Sequence, residues 1–96
     1  MKKFTTLLTY SAIEDLDIIP EIQRSKIIAS IGRLSSNPFA SVHNIKKLKA
    51  FKPPLYRMRS GNYRVIYSIE EKTLVIMRVI GRKDLEKVIK RLNLSS

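Results

Sequence analysis

Three arginines stand in a run that reads as two paired strands: Arg57 and Arg59 within Leu55–Arg59, and Arg64 within Tyr63–Ile69. A strand fixes the direction of each side chain, so guanidiniums placed this way can hold a polyanion at set geometry. A phosphodiester backbone is the first candidate, since the planar guanidinium fork matches phosphate oxygens. The background reinforces this. No acidic residue occurs between Ile22 and Ile69, and the chain carries a formal charge of +11. An excess of this kind predicts nucleic acid or an acidic protein as the partner.

Composition removes several kinds of chemistry. The 96 residues contain no cysteine and one histidine, His43. Thiolate and multi-histidine metal centres are therefore excluded, and no metal or other cofactor is expected. His43 falls in a loop and reads as polar surface. The N-terminal Met1–Leu8 briefly resembles a signal start, but acids follow from Glu14 and no export-type cleavage site is present. No window approaches the ~20 apolar residues of a membrane span. The expectation is a cytoplasmic protein with no membrane contact.

The elements that must position the arginines follow from pattern. Lys3–Tyr10 predicts a short strand, and Ser11 to Glu14 has capping-box spacing for a helix. Pro20 ends that helix and suits the first turn of a second one, with Ile27, Ile28, Ile31 and Leu34 as its apolar stripe. Residues 39–54 read as a linking segment rich in lysine. Strands are predicted at about Leu55–Arg59, Tyr63–Ile69 and Thr73–Ile80, and a final helix over Lys83–Leu92 buries Leu85, Val88, Ile89 and Leu92. The fold class is α+β, with a small twisted antiparallel sheet, an N-terminal helical hairpin and a C-terminal helix in the order β-α-α-β-β-β-α. Residues 1–96 make one domain.

Alternation puts Tyr56 and Met58 on one sheet face, and Arg57 and Arg59 on the other. Tyr63, Val65, Tyr67 and Ile69 face away from Arg64, which makes the tyrosines core residues. Arg57 or Arg59 lies beside Arg64 according to hairpin register, which the turn alone does not settle. Such a cluster of like charges costs stability and so suggests an anionic guest. Arg78, among Leu74, Ile76 and Ile80, reads as structural.

Laid out this way, the chain resembles the RelE/ParE superfamily of bacterial toxins from type II toxin–antitoxin systems. The residues carrying the likeness are Lys47-Leu48-Lys49, the hairpin from Leu55 to Tyr67, and Val75 to Asp84. The resemblance implies a RelE-like, ribosome-dependent endoribonuclease that cuts messenger RNA by attack of a 2′-hydroxyl on the adjacent phosphate. It assigns catalytic positions to Arg57, Arg64 and Arg82, where fixed positive charge stabilises the transition state. Many members have histidine where this chain has Gly81, and a tyrosine where it has Glu86. Arginine cannot supply a base, so that role stays open among Glu86, Lys52 and Lys83, with Glu86 added to the catalytic set. Lys46, Lys47, Lys49, Lys52, Arg59 and Lys83 are expected RNA contacts. The implied partners are a cognate acidic antitoxin, the ribosome and messenger RNA. Two alternatives stay open: a ParE-like inhibitor of DNA gyrase, and a non-toxic member that only binds its antitoxin.

Overall fold

In the computed structural model, which describes residues 4–39, 44–48 and 51–95 and side chains as far as residue 92, five strands form one sheet. The order along the chain is β1 (Thr5–Leu8), α1 (Tyr10–Asp17), α2 (Glu21–Ser36), β2 (Ile45–Leu48), β3 (Leu55–Ser60), β4 (Tyr63–Glu70), β5 (Thr73–Gly81), a 3-10 turn (Arg82–Asp84) and α3 (Leu85–Ser95). Across the sheet the order is β1-β5-β4-β3-β2, with β1 parallel to β5 and the other pairs antiparallel. The expected architecture is present, with one strand more than the sequence pattern indicated. The extra strand, β2, lies in the lysine-rich linker. Its four residues alternate too briefly to signal a strand, and pairing with β3 supplies what the pattern lacks.

Helix α1 starts earlier than its capping-box spacing suggested. Thr9 is the N-cap, and its Oγ1 accepts the Ala12 backbone N–H at 3.1 Å while donating to the Met77 carbonyl at 2.8 Å. The Thr9 N–H also donates to the Ile76 carbonyl. The end of β1 and the start of α1 thus share one residue, whose hydroxyl serves both helix and sheet edge. Ser11 lies inside the first turn. Pro20 is the N-cap of α2, one position before the expected first turn, and Glu21 follows at the helix's positive end.

Each sheet face carries its own core. The helical hairpin packs Ala12, Leu16, Ile27, Ile31 and Leu34 against Met58, Val65, Tyr67, Leu74, Ile76 and Val79. Ile28, expected in that stripe, is 53% exposed instead. It sits beside Ile27 on a helix whose inward face needs only every third or fourth residue. On the second face, α3 lays Val88, Leu85, Ile89 and Leu92 over Leu55, Ile66 and Ile80, as its spacing predicts. A register shift at Ile66/Tyr67 pairs Ile66 with Arg78 and Tyr67 with Ile76, leaving Met77 as the extra residue of β5. Beyond it the alternation reverses: Val79 joins the first core and Ile80 the second.

Arg78 lies just past the shift. Its Nε and Nη2 donate to the Asp15 carboxylate at 2.7 and 3.1 Å, and Asp15 also accepts the Val79 N–H at 2.9 Å. Strand β1 reaches only Ile76, so the carboxylate of α1 takes over where strand pairing stops. The hydrogen bond to Asp15 raises the Arg78 pKa against the opposing effect of burial. Arg78 is structural.

Candidate functional site

The β3–β4 turn settles the register that sequence left open. Ser60 pairs with Tyr63 across Gly61–Asn62, and Gly61 takes a φ of +59°, a left-handed value that glycine adopts without a Cβ penalty. Every pairing upstream is then fixed. Arg59 stands directly opposite Arg64, and Arg57 opposite Ile66. On the next strand Lys46 pairs with Arg57. The backbone around Arg59 is held further by Asn44, whose carbonyl accepts the Arg59 N–H at 2.8 Å and whose Nδ2 donates to the Arg59 carbonyl at 3.1 Å.

Arg64 is the centre of the group. It is only 8% exposed, and its Nη1 donates to the carbonyls of Gly61 at 3.1 Å and Tyr63 at 3.0 Å. The guanidinium therefore ties down the turn that sets the register. Among the described residues its Nε and Nη2 donate to no protein group, and neither is sealed from solvent. Its pKa is held below the ordinary arginine value, first by desolvation and then by the charges of Arg57, Arg59 and Arg82. Charges from β3 and from the turn before α3 thus all bear on Arg64 in β4.

Arg82 is brought in by the backbone. Its N–H donates to the Asn62 carbonyl at 2.8 Å, which ties the exit of β5 to the β3–β4 turn. Beside it, Asn62, Tyr63, Gly81, Arg82, Lys83 and Asp84 line an open cavity of about 540 Å³. Among the described residues no carboxylate pairs with Arg57, Arg59, Arg64 or Arg82; the salt bridge of Arg78 with Asp15 lies at the β5 edge. Like charges so placed oppose folding, and an arriving phosphate relieves them.

The structure separates the remaining predicted site residues. Lys46 shares the arginine face, whereas Lys47 pairs with Tyr56 and so belongs to the opposite face. Lys46 and Lys47 therefore do not share a face: alternation along β2 separates these two, as period two requires of any strand. Lys52 is exposed before Pro53, and Lys49 and His43 lie outside the described residues. Lys83 is exposed and borders the cavity. Glu86 is exposed in the first turn of α3, and it is neither among the charges acting on Arg64 nor among the residues lining that cavity. The carboxylate that does line it is Asp84, which sequence reasoning passed over. Its position two residues after Arg82 was the available signal.

Tyr56 and Tyr67 belong to the first core, away from the arginines, and Tyr63 packs at the rim of that core while also lining the cavity beside Arg82. The Tyr67 ring stacks on Tyr56 with centroids 5.4 Å apart, and its hydroxyl donates to the Pro38 carbonyl at 3.1 Å. Burial raises the Tyr67 pKa, and neighbouring Tyr56 adds to the effect. These rings pack the sheet and leave the basic face to the arginines. Among the described residues no group of three or more histidine, aspartate or glutamate side chains is arranged to hold a metal ion. No helix among them is long and apolar enough to cross a membrane.

Comparison with known proteins gives two kinds of match. Residues 7–92 match the family described as the ParE toxin of the type II toxin–antitoxin system parDE. A chain of the toxin–antitoxin complex RelBE2 of Mycobacterium tuberculosis superimposes with a TM-score of 0.72 at 28% identity, covering 84% of this chain and 100% of that one. The RelB–RelE antitoxin–toxin complex of Methanococcus jannaschii gives 0.70 at 26%, with 85% and 96% covered. The RelE–RelB complex of Pyrococcus horikoshii gives 0.73 at 24%, with 84% and 97% covered. Comparison with curated protein sequences returned no match.

Proposed function

Since the chain belongs to the RelE/ParE toxin superfamily of type II toxin–antitoxin systems, we propose that it is a RelE-like endoribonuclease that cuts messenger RNA on the ribosome in the cytoplasm. The observation carrying this reading is that Arg57, Arg59 and Arg82 all bear on Arg64, with no carboxylate among the described residues paired to any of the four. Charge accumulates on the phosphoryl oxygens as the 2′-hydroxyl attacks. Guanidiniums placed around that position stabilise the transition state more than the bound substrate. Arg64, with Nη1 committed to the turn, presents its remaining donors and keeps Arg59 in register. Arg57, Arg59 and Arg82 have the freer side chains. Lys46, on the same face, extends the positive surface toward RNA.

The likeness to chains crystallised with RelB-type antitoxins supports a cognate antitoxin for this chain too. An acidic antitoxin segment lying across the arginine face would neutralise the cluster and block RNA at once.

A second reading is a ParE-like poison of DNA gyrase. It is favoured by the family match itself, together with Gly81 and Glu86 at positions where nuclease members of the superfamily often carry histidine and tyrosine. Inducing this chain alone separates the two. If translation stops first, with messenger RNA broken inside reading frames, the nuclease reading stands. If gyrase-dependent DNA breaks come first while translation continues, the gyrase reading replaces it.

A further inference from the structure

A cluster of arginines stabilises charge but cannot accept a proton near neutral pH, so the 2′-hydroxyl needs a base from elsewhere. We propose that Asp84 is that general base, an inference that rests on the endoribonuclease reading above. Asp84 closes the 3-10 turn that begins at Arg82, and both residues line the same open cavity with Asn62, Tyr63, Gly81 and Lys83. Its size, about 540 Å³, is within the range of small-ligand sites and suits a nucleotide. Arg82 is the member of the positive cluster that shares this cavity with Asp84; Arg57, Arg59 and Arg64 do not line it, and Asp84 also borders the neighbouring cavity lined by Asp15, Arg78 and Lys87.

Two further observations single it out. A Cβ placed on Gly81 would stand 3.8 Å from the Asp84 Oδ2, an ordinary contact distance, so the carboxylate lies next to the glycine at the cavity wall. Among the described residues Asp84 also makes no ion pair or hydrogen bond through its side chain, on a chain of charge +11. A carboxylate left unpaired in the cavity that Arg82 lines can accept a proton from a guest. The other candidate, Glu86, lies outside the cavity lining.

The step balances within these residues. Asp84 takes the 2′-hydroxyl proton as O2′ bonds to phosphorus, and the bond from phosphorus to O5′ breaks. O5′ leaves with a proton from the Lys83 ammonium, which borders the same cavity. Solvent then carries the proton held by Asp84 back to Lys83. The products are a cyclic phosphate and a 5′-hydroxyl, and no co-reactant is consumed.

An acidic residue near a helix start can also act by stabilising the helix, so the test must separate the two roles. Single-turnover cleavage on ribosomes programmed with messenger RNA is measured for the full chain and for Asp84→Asn, Asp84→His and Glu86→Gln, with melting temperatures recorded alongside. Asp84→Asn should lose about 100-fold in rate with its melting temperature kept, within the usual range for general base catalysis. A rate lost in Glu86→Gln and kept in Asp84→Asn would give the role to Glu86 and overturn the assignment. Asp84→His should recover cleavage that rises with pH through about 6.5, the imidazole value. Wild-type rates in Asp84→Asn, or an Asp84→His rate without that pH dependence, overturn the assignment and leave the nuclease reading standing. Intact messenger RNA with the wild-type chain overturns both.

Discussion

Arg59 and Arg64 face each other across a strand pair, an arrangement a protein selected for stability alone would avoid. Replacing Arg59 by Gln should therefore raise stability in low salt by a few tenths of a kcal/mol, measured by urea denaturation, while weakening toxicity in an induction assay. Loss of both stability and toxicity would mean that Arg59 is structural. Tyr67 makes a different residue-scale prediction. Its folded pKa is raised by burial, so above pH ~10 the unfolded chain loses that proton while the folded chain retains it. The unfolded state is then favoured, and this contribution to stability is lost as pH rises. Tyr67→Phe should show a shallower alkaline fall in stability than the wild type.

At the scale of elements, the junctions are held by single side chains. Thr9→Ala removes the N-cap of α1 and the bond to the Met77 carbonyl, and should cost about 1 kcal/mol or somewhat more. Ser11→Ala, at the position its spacing had marked as the cap, should be close to neutral; circular dichroism melts of both variants decide between the two caps. Asp15→Ala leaves Arg78 and the Val79 N–H without a partner, and should cost about 2–3 kcal/mol by the same measurement. The helices and the three central strands were legible because their periodicity is regular and their breakers, Pro20 and Gly61, are strong. Strand β2 was not, since four residues reading Ile-Lys-Lys-Leu carry no decisive pattern. Ile80 was assigned to the wrong neighbours because one extra residue in β5, Met77, reverses the alternation, and a bulge leaves no signature in composition.

On the scale of the whole molecule, the two sheet faces divide the work. One is packed by the helical hairpin and holds the tyrosines. The other is covered in part by α3 and carries the arginines beside it. The arginine face was legible because alternation depends only on Arg57, Arg59 and Arg64 being in strands. Hairpin register was not, as it depends on whether the turn takes two residues or three. Nor was the separation of Glu86 from the cavity that Asp84 lines, since helix phase after a 3-10 turn cannot be counted from sequence spacing. A face this positive should engage RNA through phosphate contacts, so ribosome binding should weaken steeply with added salt. A salt-independent affinity would place binding elsewhere on the molecule.

The most direct measurement reads the ends of the RNA itself. Ribosomes carrying a defined messenger RNA are mixed with the chain or with its Arg82→Ala variant, and the fragments are analysed for their termini. The wild type should yield a 2′,3′-cyclic phosphate and a 5′-hydroxyl at one position in the translated codon, and the variant should be slower by about 10²–10³-fold. Uncut messenger RNA, or equal rates for the two proteins, would contradict the claim that the arginine cluster acts on a scissile phosphate.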